Sequence, residues 1–324
     1  MLMNNLIKVS RAIPVLEETI AASYSPVLLP MGGRETPLEM RITAPMTGDN
    51  LPIVLLSHGH GPSLYVPSKD GYGPLANFLA ERGFVVIQPS QANSKVAGLP
   101  AGAPDAPLFA RERAEELRAI IDGLDVIEAI VPPLAGRLDR DRIAAVGHSL
   151  GGQTVGFLLG ARFTIGDGQD AREVNLFEPR IKVGVLLNAP GAGGDDLSAG
   201  GKAYGPAFSP DFSRLITRAL VVYGDEDVSP HLTVRGADWH ADPFYLSPGA
   251  DHLLTIAGAK HGLGGIAGYD AKETDDEDPD RLETTRRMIW SYLRSALFDG
   301  DTAWSEASRA LEGPAASLGH VTRK

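Results

Sequence analysis

The sequence of 324 residues contains no cysteine. Disulfide bonds, thiolate catalysis and cysteine-ligated zinc or iron–sulfur centres are therefore excluded. Basic residues are outnumbered, with 30 Lys and Arg against 41 Asp and Glu, which gives a net charge of −11. Because this surplus of negative charge repels phosphate groups, we expect neither nucleic acid nor an anionic membrane surface as the main partner.

Long apolar runs are also lacking. No stretch of the sequence is apolar over the length needed to cross a bilayer. Residues 1–8 lack the basic segment and apolar run of a secretory signal peptide. We therefore expect a cytoplasmic protein without a membrane span, acting on a small molecule. The hydrophobic content of 43 % is enough to fill the core of a large domain.

Continuous apolar runs alternate with segments of helical periodicity. The runs predict buried strands at residues 52–56, 84–88, 143–146, 182–188, 219–223 and 253–256, and the periodic segments predict helices at 72–82, 110–130 and 282–297. Residues 26–29 and 38–43 predict two antiparallel lead-in strands. This alternation is typical of an α/β fold with a mostly parallel central sheet and helices on both faces.

The domain organisation is expected to be simple. Residues 1–23 are predicted to form an N-terminal arm, with a short helix through 12–22, and residues 24–300 a single catalytic domain. Residues 301–324 are expected to be a C-terminal extension. The segment 189–213 is rich in Gly, Ala and Ser and is too short for a multi-helix cap, so no large cap domain is expected.

A candidate nucleophile follows the central predicted strand. Residues 147–151 read G-H-S-L-G, with Ser149 between an apolar strand and a helical segment. In such a G-x-S-x-G elbow the serine lies on a sharp strand-to-helix turn that exposes its hydroxyl. The backbone N–H of Leu150, at the start of the helix, is then a candidate oxyanion donor. The N–H of His60, in the glycine-rich turn at 57–61, is the candidate second donor.

A serine hydroxyl needs a neutral imidazole as base and a carboxylate to orient that imidazole. The acid should follow a later strand, and the turn after residue 222 offers Asp225, Glu226 and Asp227. Asp227 is favoured because a carboxylate three residues beyond Gly224 can turn back under the histidine. Asp225 is the alternative, with turn capping as its other role, and Glu226 is expected to face solvent.

Eight histidines are present, and position in the chain separates them. His261 follows the last predicted buried strand and lies between small residues, so it is the candidate base. His58 and His148 are expected to hold loops by hydrogen bonding.

Residues 57–61, S-H-G-H-G, and 147–152, G-H-S-L-G-G, followed by Asp227 and His261, resemble the α/β-hydrolase superfamily. They are more narrowly similar to the branch of dienelactone hydrolases, chlorophyllases, cutinase-like enzymes and platelet-activating-factor acetylhydrolases. The resemblance covers residues 24–297. It implies an α/β-hydrolase fold and a serine carboxylic ester hydrolase without cofactor, with Ser149, Asp227 and His261 as triad. The dienelactone hydrolase type proper uses a cysteine nucleophile, which this chain lacks.

Two further features of the sequence have more than one interpretation. Trp239, Phe244 and Tyr245, between the acid and the histidine, are candidate walls of a substrate pocket, as is Tyr65, with core or surface packing as the alternative. Phe109 and Phe208 are weaker candidates. The acidic run 274–280 lacks recognisable calcium-ligand spacing, so a solvated loop whose Asp280 caps the next helix is favoured over a cation site. No metal site is expected.

These expectations lead to one functional hypothesis and two rivals. The main hypothesis is a serine esterase acting on small to medium apolar esters. An acyltransferase, amidase or peptidase would use the same triad, and a non-catalytic binding module would use only the fold.

Overall fold

The computed structural model describes residues 7–32, 34–97, 106–166, 168–268 and 275–324. Its strands are β1 (Ala21–Leu29), β2 (Leu38–Pro45), β3 (Leu51–Ser57), β4 (Val85–Pro89), β5 (Leu138–His148), β6 (Arg162–Ile165), β7 (Arg172–Asn175), β8 (Ile181–Leu187), β9 (Ala219–Gly224), β10 (Ala250–Ile256) and β11 (Gly319–Arg323). In this part of the chain β6 and β7 form a separate hairpin, and the others form a nine-stranded sheet in the order β1-β2-β4-β3-β5-β8-β9-β10-β11.

The centre of the sheet is parallel and its edges are antiparallel. The parallel part consists of six strands, in the order β4, β3, β5, β8, β9 and β10. At one edge β2 pairs antiparallel with β4 and β1 pairs antiparallel with β2, and at the other edge β11 pairs antiparallel with β10. All seven residues of β3 are buried. A strand covered on both faces has no polar alternation, which explains why continuous apolar runs predicted the central strands.

Helices cover both faces of the sheet. They are α1 (Gly73–Ala80), α2 (Ala110–Asp122), α3 (Leu124–Ile130), α4 (Leu150–Leu158), α5 (Ala199–Lys202), α6 (Asp242–Leu246), α7 (Pro279–Leu297) and α8 (Ala303–Glu312). Ile53 and Leu55 of β3 pack into the core with α2, α3 and α4, whereas Val54 and Leu56 pack into the core with α1, α7 and α8. Successive strand residues point to opposite faces, so one strand supplies both cores.

The predicted helix 110–130 is two helices in the structure. They meet at Gly123, where a Cβ atom would lie 2.7 Å from the side chain of Leu29 on β1. A side chain there would have to displace the tip of Leu29, so glycine fits this position, and its φ of −93° and ψ of 11° depart from helical values.

The predicted helix over residues 12–22 is wrong. A short 3₁₀ turn occupies Ser10–Ala12, and β1 begins at Ala21. Residues 1–6 of the expected arm lie outside the described residues. The backbone N–H groups of Lys8, Val9 and Ser10 donate to the carboxylate of Asp280, at 3.0, 3.2 and 3.0 Å. A tertiary contact with α7 therefore holds this segment.

Residues 301–324, set apart by sequence as an extension, contribute to the main sheet. Helix α8 packs with α7, and β11 pairs with β10 from His252↔Arg323 to Ile256↔Gly319. Across the described segments of the chain, no helix is long and apolar enough to span a bilayer.

Candidate active site

The turn between β5 and α4 carries Ser149 at the carboxyl edge of the sheet. Ser149 has φ 54° and ψ −121°, a conformation in which non-glycine residues are rare. Its neighbours leave no room for side chains. A Cβ on Gly147 would lie 2.1 Å from the Gly151 carbonyl oxygen, and one on Gly151 would lie 2.0 Å from the Ser57 carbonyl oxygen. The two glycines thus let helix α4 start directly against strands β5 and β3.

Asp227, of the two acid candidates, contacts His261. Its Oδ2 accepts a hydrogen bond from His261 Nδ1 at 2.8 Å, and the Asp227 side chain is 3 % exposed. Asp225 instead accepts from the backbone N–H of Gly258 at 2.6 Å and so braces the turn. Glu226 is exposed, in line with its expected orientation towards solvent.

Asp227 and His261 shift each other's titration. Burial would lower the pKa of His261, but the charge of Asp227 and its hydrogen bond outweigh burial and raise that pKa above its ordinary value. Burial would likewise raise the pKa of Asp227. The charge and hydrogen bond of His261, with contributions from His240 and His148, outweigh burial and hold this pKa below its ordinary value. A carboxylate beside a histidine is therefore maintained at neutral pH.

A hydrogen-bonded chain joins three loops around Ser149. Gly59 N–H donates to the Tyr72 hydroxyl at 3.1 Å, and this hydroxyl lies 2.8 Å from His148 Nδ1. His148 Nε2 donates to the backbone carbonyl of His261 at 2.7 Å. Burial, with repulsion from His261, lowers the pKa of His148 to about 3, so the ring stays neutral. The expected role of His148 in holding loops agrees with these contacts.

A buried guanidinium anchors the turn at residues 57–61. Arg113 of α2 is fully buried, and its Nη2 donates to the Ser57 hydroxyl at 2.9 Å and to the His58 carbonyl at 2.6 Å. Its Nε donates to Thr154 of α4 at 2.9 Å, and its Nη1 to Asn93. Burial lowers the pKa of Arg113 to about 10, which leaves it charged at neutral pH. One side chain thus ties the glycine-rich turn to the helix that begins at Ser149.

His58 and Asn93 complete the support of this turn. The Gln91 backbone N–H donates to His58 Nε2 at 2.9 Å, and Asn93 Nδ2 donates to the Gly59 carbonyl at 3.3 Å. The Gly59 N–H is used in its hydrogen bond to Tyr72, and the backbone N–H that follows it in the turn is that of His60. Both His60 and Leu150 line the cavity beside Ser149.

The loops after β8, β9 and β10 are tied together by Asn188. Its Nδ2 donates to the carbonyls of Lys260 and His261 at 3.1 and 3.0 Å. Its Oδ1 accepts from the backbone N–H of Gly224 at 3.1 Å, at the start of the loop that carries Asp227. The spacing between the acid and histidine loops therefore depends on a residue of a third loop.

His240 lies on the other side of Asp227. It is 1 % exposed, and its Nδ1 donates to the Ala189 carbonyl at 2.8 Å. Its Nε2 is 3.1 Å from Asp227 Oδ2. The contact lies outside hydrogen-bond geometry, and Nε2 has no hydrogen-bond partner among the described residues. Burial lowers the pKa of His240 below its ordinary value, so the ring is neutral at physiological pH.

A cavity of about 500 Å³ opens above Ser149 and His261. Apolar and aromatic side chains form much of its wall, namely Val66, Tyr72, Leu108, Pro190, Tyr204, Phe208, Val228, Leu232 and Ala267. Within the described residues the lining contains no lysine or arginine, and its one carboxylate is Asp227. The cavity therefore suits an uncharged, largely apolar molecule of modest size.

The model of the alpha/beta hydrolase family matches residues 53–322 of the chain. The chain belongs to this family. No curated protein matches the sequence. The crystal structure of EstE1, described as a thermophilic and thermostable carboxylesterase cloned from a metagenomic library, is similar. The two share 18 % sequence identity and a TM-score of 0.52, over 90 % of this chain and 93 % of EstE1. The predicted α/β-hydrolase fold is confirmed.

The cavity of this alpha/beta hydrolase is not lined by Trp239, Phe244, Tyr245 or Tyr65, and Tyr245 is exposed. Trp239 is fully buried behind the cavity, with its ring against Phe208 and its Nε1 donating to the Ala192 carbonyl at 2.9 Å. Phe244 is 2 % exposed and packs in the main core. Tyr65 is 40 % exposed and lies outside the lining. Large aromatic rings gain most by full burial, which explains Trp239 and Phe244; Phe208, a weaker candidate, does line the cavity.

The acidic run differs from expectation in two respects. Asp278, not Asp280, caps α7 by accepting from the Arg281 N–H at 2.9 Å. Asp276 is buried and accepts from the N–H groups of Lys260 and Gly264, at 2.8 and 3.3 Å. The run therefore braces the loop of His261 in this hydrolase. Residue 274 lies outside the described residues.

Sequence reasoning missed Tyr72, Arg113, Asn188 and His240 as parts of the site. The sequence could have pointed to Arg113, because it lies four residues before Leu117 and seven before Ile120, on the apolar face of its helix. A charge on such a face implies a buried partner. The other three are bound to distant segments of the chain, and no local pattern marks them.

Proposed function

We propose that this alpha/beta hydrolase is a serine carboxylic ester hydrolase in which Ser149 is the nucleophile, His261 the base and Asp227 the orienting acid. One observation carries the proposal. Asp227 holds Nδ1 of His261 at 2.8 Å, while the imidazole lines the same cavity as Ser149. With Nδ1–H bonded to the carboxylate, the lone pair of a neutral ring is on Nε2, where a base must have it.

The proposed reaction begins when His261 Nε2 accepts the Ser149 proton and Oγ attacks the ester carbonyl carbon. The resulting oxyanion would be held by the backbone N–H groups of Leu150 and His60. The imidazolium then gives its proton to the departing alcohol, leaving an acyl-enzyme. Water, deprotonated by His261, attacks this acyl group, and the acid is released as Ser149 regains its proton. No cofactor is needed.

The lining supports small to medium, uncharged, apolar esters as substrates. Tyr204, Phe208 and Leu232 offer apolar surface, and the described lining presents no cation that would bind a carboxylate-bearing substrate. EstE1, with a similar fold, is titled a carboxylesterase. The resemblance to the branch of dienelactone hydrolases and platelet-activating-factor acetylhydrolases stays a prediction.

The decisive experiment combines a p-nitrophenyl ester series, from acetate to palmitate, with labelling by a fluorescent serine-directed phosphonate. Wild-type protein should hydrolyse short esters and become labelled, and Ser149→Ala should do neither. Ser213→Ala is the matched control, because Ser213 is an exposed serine outside the cavity. Full esterase activity in Ser149→Ala would refute the assignment, and absent labelling of wild type would favour a non-catalytic module.

A competing acceptor separates hydrolysis from its rivals. Adding an alcohol or an amine should leave the free acid as the main product if water is the preferred acceptor. A dominant transferred ester or amide would identify an acyltransferase. Cleavage of matched anilides faster than esters would identify an amidase or peptidase.

A further inference from the structure

Three potential ligand atoms converge behind the cavity: Asp227 Oδ2, His240 Nε2 and His261 Nδ1. They all lie within 4.8 Å of one another. Two distances are shorter, 2.8 Å between Asp227 and His261 and 3.1 Å between Asp227 and His240. A triad of serine, histidine and acid uses only the first of these contacts. The second imidazole has no part in the proposed reaction.

The orientation of His240 is that of a metal ligand. Its Nδ1 faces the Ala189 carbonyl, which can only accept, so Nδ1 carries the proton of a neutral ring. The lone pair is therefore on Nε2, beside Asp227 and without a hydrogen-bond partner. Metal-binding histidines typically donate their other ring N–H to a backbone carbonyl or carboxylate in this way. The ring is 1 % exposed, so this lone pair does not face bulk solvent.

We propose that Asp227, His240 and His261 form a site for a divalent transition-metal ion, with Zn²⁺ as the test ion, and that metal binding switches off ester hydrolysis. The inhibitory half of this proposal rests on the proposed function. Two imidazoles and one carboxylate are ordinary zinc ligands, and three protein ligands leave a fourth position for water. Mg²⁺ and Ca²⁺ prefer oxygen ligands, so neither should compete.

The expected inhibition follows from the proton on His261. In the metal-free protein the neutral ring carries its proton on Nδ1, bonded to Asp227, and Nε2 can accept the Ser149 proton. Metal binding needs the Nδ1 lone pair, so the ring's single proton must move to Nε2. The N–H bond at Nδ1 is replaced by an N–metal bond, and one N–H bond forms at Nε2, with no net proton release. Nε2 can then no longer act as the base.

Calorimetric titration of the full-length protein with ZnCl₂ tests the site without reference to activity. Wild type should bind one ion, and Co²⁺ at the same site should give a visible absorption band. His240→Asn keeps an N–H near the Ala189 carbonyl but removes the second nitrogen. This change should weaken binding by more than the roughly 10–100-fold typical of losing a mere supporting hydrogen bond. His231→Asn is the control, because His231 lines the cavity outside the cluster, and its affinity should match wild type.

Equal affinity in wild type and His240→Asn, or no binding to wild type, would overturn the site. If His240→Asn does not fold, as judged by near-ultraviolet circular dichroism, Asp227→Asn replaces it, because an amide oxygen is a poorer zinc ligand. For inhibition, each variant is compared with its own metal-free rate. Zn²⁺ should suppress wild-type hydrolysis reversibly with EDTA and spare His240→Asn. If Zn²⁺ binds but does not inhibit hydrolysis, the metal site is supported and the proposed inhibition is wrong. If Zn²⁺ binds to a protein that is inactive on all esters, the metal site is supported and the proposed function is wrong.

Discussion

Asp227 Oδ2 lies 2.8 Å from Nδ1 of His261, although the two residues are 34 positions apart and sit on loops that follow different strands. Strands β9 and β10 are parallel neighbours, so both loops leave the sheet at the same edge. Asn188 fixes the gap between them by bonding to Gly224 on one side and to the His261 carbonyl on the other. The pairing of acid and base thus follows from strand order and from a single bridging amide.

Replacing the buried acid should be far more damaging than replacing its neighbour. Asp227→Asn removes the charge that orients and stabilises the His261 imidazolium, and we expect kcat to fall on the order of 10⁴-fold. Asp225→Asn alters only a turn contact to Gly258 and should stay within about threefold of wild type. Steady-state kinetics on one p-nitrophenyl ester measures both. A reversed ranking would transfer the acid role to Asp225.

The pH profile should report the raised pKa of His261. The base must be neutral, so kcat/KM should fall as pH drops through a pKa above the ordinary histidine value. Asp227 stabilises the protonated ring, so the residual activity of Asp227→Asn should show its acid limb at lower pH than wild type. An acid limb that did not move between the two proteins would mean that another group controls it.

Arg113 should act on turnover more than on substrate binding. Arg113→Met removes the donors that hold the Ser57 hydroxyl and the His58 carbonyl. A displaced turn would misplace the proposed oxyanion donor, for which losses of about 10²–10³ in kcat are typical. Arg113→Lys, which keeps the charge but not the planar fork, should recover only part of this loss.

The matched control for Arg113 is Arg140→Met, since Arg140 is 45 % exposed and its ion pairs are with Asp125 and Glu128 on the surface. This variant should keep wild-type kcat and KM, because exposed ion pairs contribute about 0–1 kcal/mol. If Arg113→Met raised KM and left kcat unchanged, Arg113 would support substrate binding in the cavity and not the position of the turn at residues 57–61. Thermal unfolding of each variant separates this effect from general destabilisation.

The sheet and the elbow were predictable for identifiable reasons. A strand covered on both faces, such as β3, must be almost wholly apolar, and glycines must flank a turn as tight as that at Ser149. Both constraints act on neighbouring residues, so they leave a local pattern. The order of acid and histidine after the elbow added the long-range information.

What escaped prediction depends on contacts between distant segments. Leu29 of β1 packs against Gly123, where the long helix is interrupted, and the N-terminal segment is held by Asp280 of α7. Trp239 lies between the acid and the histidine in sequence, yet it is buried behind the cavity wall. Position along the chain therefore pointed to the loops that carry Asp227 and His261, but not to the direction in which the aromatic side chains near them point.

The cavity wall should set the acyl length accepted. Leu232 lines the cavity, and Leu232→Trp adds bulk that should shift the preferred p-nitrophenyl ester towards acetate. Val234→Trp is the control on the same loop, since Val234 is 72 % exposed and outside the lining. Its chain-length profile should match wild type. Identical profiles for both variants would place the acyl chain elsewhere in the cavity.

Two glycine substitutions should have opposite outcomes. In Gly151→Ala the new Cβ would lie 2.0 Å from the Ser57 carbonyl oxygen, a backbone atom that cannot move without shifting β3 and the turn beyond it. We expect a loss of about 1–3 kcal/mol in the free energy of unfolding, together with slower phosphonate labelling of Ser149. Gly73→Ala meets no atom within 4 Å at the start of α1 and should be neutral or stabilising by up to about 1 kcal/mol. Denaturant unfolding and phosphonate labelling rates, measured on the two variants side by side, test both expectations. A Gly151→Ala protein as stable and reactive as wild type would show that α4 does not need this close approach to β3.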